Sequence, residues 1–112
     1  VEFATERRLE SVVSVTQPFF HPLLSCTLDS EARLQPLFPD RSGQQRQQLG
    51  PCRALNGAIY FTTTERFESQ KNFFGTDTHG YDLPRNRSFD IDEAEDLEIA
   101  RYMGRLLNLK PR

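Results

Sequence analysis

SVVSVT, residues 11–16, carries no charge and is built largely of β-branched side chains. A short run with so little polar alternation reads as a buried strand, and one that suits a parallel sheet covered by helices. A second strong strand follows at 55–63, LNGAIYFTT. Its two-residue period sets Ile59, Phe61 and Thr63 on one face and Ala58, Tyr60 and Thr62 on the other. Asn56-Gly57 permits a tight turn at its start.

Outward from these two strands the pattern alternates. Residues 2–9, EFATERRL, fit the tail of a helix, with Phe3 and Leu9 as its apolar positions. TTTERFESQ reads as a short helix capped by Thr63 or Thr64. HGYDLP is a short strand stopped by Pro84, and SFDI is expected to be another. The run EAEDLEIARYMGRLLNL has Leu97, Ala100, Met103 and Leu107 at helical spacing. Its acidic start, and Arg101, Arg105 and Lys110 later, complement the helix macrodipole. Strands alternating with helices place the chain in the α/β class.

Between the two strong strands lies a poorer segment. Pro18 and Pro22 make QPFFHP a turn with exposed aromatics. Over 23–53 short apolar pieces, LLSCTL and LQPLF, alternate with the turn signals DSE and PDRSG. Two short strands in a hairpin would be marginal alone in water and need a partner surface. A dimerisation arm over about 18–54 is the expectation.

Composition narrows the function classes. The chain has 112 residues, 37% hydrophobic and 27% charged, which bounds it to one globular domain at most. Fourteen basic residues against 16 acidic ones give a net charge of −2, so no electrostatic case for nucleic acid exists. Arginine greatly outnumbers lysine, which suits recognition of carboxylate or phosphate by planar forks. Cys26 and Cys52 make neither a metal-ligand spacing nor a disulfide framework, so a reduced, cytoplasmic setting is expected. No apolar run approaches the ~20 residues that span a bilayer. The sequence opens on Val, within what reads as a helical turn, as a piece of a longer chain would.

RSFDID, residues 87–92, carries the chemistry. In extended backbone Asp90 and Asp92 share a face, with Phe89 and Ile91 turned to the core. Two carboxylates so placed could hold Mg2+, which takes one or two protein carboxylates and completes its octahedron with water and phosphate oxygens. The plainer alternative is that Asp92 and Glu95 form a capping box for the last helix, with Asp90 solvated. The two readings are compatible, because a cap uses only part of a carboxylate's accepting capacity. Arg46, in QQRQQLG, could clamp a carboxylate or phosphate with two parallel bonds, or simply be solvated. Tyr60, Phe73 and Phe74 are either core or the wall of a ligand pocket. His21 and His79 stand isolated and read as structural or surface residues. No GxxxxGK[ST] or GxGxxG loop occurs in these residues.

Taken in order, SVVSVT, HP, LQPLFP, RQQL, LNGAIYFT, FFG, Y-x-x-P-R and S-x-DID-x-x-x-DLE resemble the carboxyl-terminal half of the acylneuraminate cytidylyltransferases. The resemblance runs over nearly the whole chain, with LNGAIY and S-x-D-I-D its specific parts. It implies part of a Rossmann-like nucleotidyltransferase sheet and a reaction between CTP and a nine-carbon keto-sugar acid giving the CMP-sugar and pyrophosphate. Mg2+ or Mn2+ is the implied cofactor, with Asp90 and Asp92 its ligands. Asp92 is the implied group that orients or deprotonates the attacking hydroxyl. Arg46 is implied to meet the sugar carboxylate, while Tyr60, Phe73 and Phe74 enclose its substituents and Asn56 lies beside the site. The arm is implied to join two subunits of a homodimer.

Arg53 departs from the pattern, standing three residues before Asn56 where the family has arginine two before. The family's CTP loop also has no counterpart here, so the isolated 112-residue chain is expected not to turn over CTP. Two other readings stand beside this one. The chain could be a non-catalytic sugar-acid-binding or dimerisation module. It could also perform the same chemistry on pseudaminic- or legionaminic-type acids.

Overall fold

The structure, a computed structural model, describes residues 1–109. Lys110, expected near the end of the last helix, lies outside them. In chain order the elements are α1 (Glu2–Glu6), β1 (Ser11–Thr16), β2 (Cys26–Leu28), β3 (Leu34–Pro36), β4 (Ala54–Thr62), α2 (Thr64–Gln70), β5 (His79–Asp82) and α3 (Ala94–Leu106). Residues 17–53 form one compact unit, and the remainder form another.

The larger unit is mixed α/β, built on a three-stranded sheet in the order β4-β1-β5. SVVSVT is its central strand, antiparallel to β4 and parallel to β5. That position explains its composition, since Val12 and Val13 are buried from both sides. On one face α1 brings Phe3 edge-on to Tyr81, ring centroids 5.0 Å apart, and the Arg7 guanidinium lies over the Phe3 ring, 4.3 Å from its centroid. Phe3, Val12, Ile59 and Phe61 line a cavity of about 450 Å3 on that face. α2 starts as expected: the Thr63 hydroxyl accepts from the Arg66 N–H at 3.3 Å.

Three expectations need correction. First, Asn56-Gly57 does not precede the strand but sits within β4, where residues 56–59 bulge opposite Ser14 and Gly57 adopts φ +71°. Second, SFDI is no strand. After Pro84 the chain enters a 3-10 turn at Arg85–Arg87, closed by the Ser88 hydroxyl on the Pro84 carbonyl, and joins no sheet among the described residues. Ile91 is consequently 52% exposed rather than turned to the core. Phe89 is half-buried and lines a cavity with Met103 of α3 and Leu107, the residue that follows the helix.

Third, Asp92 and Glu95 do not cap α3. Glu93 is the N-cap, and the Asp96 carboxylate accepts from the N–H groups of both Asp92 (3.1 Å) and Glu93 (2.9 Å). Reaching back from the third helical position is what a capping-box carboxylate does, here one residue later than the sequence suggested. The helix itself runs as expected, but no residue of it is fully buried.

In the smaller unit β2 and β3 form an antiparallel hairpin with Thr27 opposite Gln35. Asp29 organises its turn, accepting from the N–H groups of Glu31 and Arg33 and from the Arg33 guanidinium, each at 2.9 Å. These bonds, the Arg33 N–H foremost, hold the Asp29 carboxyl below the usual carboxylate range. Buried His21 is structural, as expected. Its Nδ1 accepts from the Leu23 N–H, so Nε2 carries the proton and donates to the Gly50 carbonyl at 3.0 Å. Both cysteines are free.

Candidate functional site

The site residues of the larger unit gather at the two ends of β4. At its beginning the bulge is organised by Ser14, which is 2% exposed on the central strand. The Ser14 hydroxyl accepts from the Ile59 N–H at 2.8 Å and donates to Asn56 Oδ1 at 2.5 Å. Asn56 Oδ1 also accepts from the Ala58 N–H, and Asn56 Nδ2 donates to Ser88 Oγ at 2.9 Å. Asp90 follows two residues later. Its Oδ2 lies 3.6 Å from the point where a side chain on Gly57 would begin, so the carboxylate rests over the bare backbone of the bulge. Asp90 Oδ1 accepts from the Ile91 N–H.

Asp92 differs. With Asp96 serving the helix end, no donor among the described residues meets the Asp92 carboxylate. Its accepting capacity is open to a ligand. Among the described residues no group of three or more histidine, cysteine or acidic side chains could hold a metal. Asp90 and Asp92 are the carboxylates expected to hold the ion, and carboxylate oxygens are hard ligands of the kind a magnesium-type ion takes.

At the far end of β4 the expected aromatics do meet. Tyr60 packs against Phe73 and Phe74, with centroids 5.8 and 6.0 Å away. Phe67 of α2, which the sequence reading missed, joins at 5.5 Å from Phe73. All four rings remain partly exposed, as a wall for a ligand must be.

The loop that carries Phe73 and Phe74 is held by a clamp that sequence reasoning also missed. Arg66 is 4% exposed and grips Asp77 with two parallel bonds, Nε to Oδ2 at 2.7 Å and Nη2 to Oδ1 at 2.8 Å. Its Nη1 donates to the Asn72 carbonyl. Ser11, also buried, donates to the Phe73 carbonyl at 2.7 Å and meets the Thr78 hydroxyl. The bond from Arg66 lowers the Asp77 pKa, and the same bond raises that of Arg66. Nothing in TERFE separates a buried arginine from a solvated one. Its partner lies 11 residues away, across a loop.

Arg46 lies in the smaller unit. Nη1 donates to the Phe19 carbonyl at 2.7 Å and Nη2 to the Pro18 carbonyl at 3.0 Å. A guanidinium has five N–H groups, so three remain for other acceptors. Arg53 donates to the Cys52 carbonyl in the same unit.

No family model matches the chain. It is 30% identical over 96 residues to an N-acylneuraminate cytidylyltransferase of Streptococcus agalactiae serotype V, a match covering 86% of this chain. The match bears out the family resemblance. The proteins of the same name from serotypes III and Ia are each 29% identical over 96 residues. The chain spans 23% of the length of these relatives. Among the described residues no helix is long and apolar enough to cross a membrane.

Proposed function

We propose that this chain carries the metal and sugar determinants of a cytidylyltransferase that activates a nine-carbon keto-sugar acid with CTP. Its similarity to proteins named N-acylneuraminate cytidylyltransferase supports the reading. The observation that carries it is local: Asp96 caps α3, which leaves the Asp92 carboxylate without a donor among the described residues, two residues from Asp90.

In the proposed reaction the anomeric oxygen of the sugar acid bonds to the α-phosphorus of CTP, and the bond to pyrophosphate breaks. Asp92 takes the anomeric proton, directly or through a water. Asp90 and Asp92 hold the divalent cation, which when bound neutralises charge on the triphosphate and the departing pyrophosphate. Tyr60, Phe73 and Phe74 enclose the sugar's substituents. The rings, inclined to one another with centroids 5.8 and 6.0 Å apart, offer apolar surface for an acyl group.

The reading predicts that the intact protein forms CMP-sugar from CTP and an N-acylneuraminate only with Mg2+ or Mn2+ present. Product formation that persists undiminished in excess chelator would contradict it.

A further inference from the structure

We propose that Ser14, Asn56 and Ser88 form a positioning relay that sets the Asp90 segment against the β4 bulge. Its value to catalysis rests on the metal role proposed for Asp90, but the relay itself is read from hydrogen-bond direction. Ser14 is a polar side chain buried at 2% exposure between valines, a costly placement unless every polar atom is used. Its hydroxyl has one hydrogen, and the 2.5 Å contact to Asn56 Oδ1 is much shorter than the 3.4 Å contact to the Ile59 carbonyl. The Ile59 N–H fills an accepting position.

The Asn56 amide has only one orientation consistent with its neighbours. The Ala58 N–H can only donate, so Oδ1 must face the bulge and Nδ2 must face Ser88. Ser88 Oγ, having accepted from Asn56, gives its own hydrogen to the Pro84 carbonyl at 2.9 Å. The donors thus run in one sense on each side of Asn56, from the buried strand to the residue two before Asp90. Gly57, beside Asn56, supplies the second point of approach, under the Asp90 carboxylate. Asn56 therefore acts through Ser88 as a positioning residue beside the site.

The test uses the intact protein and the variants Ser88→Ala, Ser88→Thr and Asp90→Asn. Amide hydrogen exchange over residues 88–93 is read by mass spectrometry, and binding of Mn2+ alone by electron paramagnetic resonance. The relay predicts that Ser88→Ala speeds exchange across the segment roughly tenfold and weakens Mn2+ binding roughly tenfold, while Ser88→Thr keeps both near the parent values. Asp90→Asn should lose Mn2+ but leave exchange unchanged. Parental exchange in Ser88→Ala, or equal loss in Ser88→Thr, overturns the relay. If the parent binds no Mn2+ through Asp90, the metal reading fails, and the exchange result still decides the relay.

Discussion

The residue whose chemistry most clearly exceeds its local sequence is Arg66. A buried guanidinium is tolerable only when paired, and Asp77 supplies both oxygens while the Asn72 carbonyl takes another N–H. Because this pairing depresses the Asp77 pKa in the folded protein, it adds stability in full above the ordinary value of 3.8. That contribution is lost as pH falls from there through the folded-state value. Asp77→Asn should therefore lower the melting temperature at neutral pH, and the gap to the parent should close on acidification below that range. A gap that stayed constant between neutral and acid pH would rule the ion pair out as its source. Gly75 is part of the same arrangement. A Cβ there would stand 2.7 Å from Asp77 Oδ1 and 2.8 Å from Arg66 Nη2, which are locked against each other.

At the scale of elements, the N-terminus of α3 decides how the acidic run 90–96 is used. Asp96 serves two backbone N–H groups, so Asp96→Ala should cost about 1 kcal/mol of stability. Asp92→Ala should cost less than about 0.5 kcal/mol, since its carboxylate meets no donor among the described residues. Denaturant unfolding of the two variants checks this, and the reverse order would restore Asp92 as the cap. The strands and helices themselves were legible because β-branched runs, Thr63 and the helical spacing of α3 are local signals. The placing of SFDI was not, because alternation marks a strand only where a neighbouring strand exists to pair with it. The bulge at Asn56-Gly57 was hidden for a related reason: its organiser, Ser14, lies 42 residues away. Of the site, Tyr60, Phe73 and Phe74 were read together as core or pocket wall before the family resemblance implied the same set, while Phe67 had no sequence mark of its own.

At the scale of the whole molecule, the two units raise different questions. In the hairpin unit Leu28 and Leu34 are cross-strand partners, yet they are 66% and 63% exposed. We propose that this apolar pair contacts a second subunit, in keeping with the weak hydrophobic support of a two-stranded sheet. Leu28→Asp with Leu34→Asp should then shift sedimentation of the intact protein from dimer to monomer; an unchanged species would exclude the hairpin as the interface. For the sheet-bearing unit the issue is catalysis. The most direct measurement is the rate of CMP-sugar formation by Asp92→Asn in the intact protein, with CTP, an N-acylneuraminate and Mg2+. The substitution keeps the shape and removes the charge. A fall in kcat/KM of at least about tenfold, roughly 1.4 kcal/mol of barrier, is the predicted result; a smaller fall would contradict the role of Asp92 in holding metal and moving the proton.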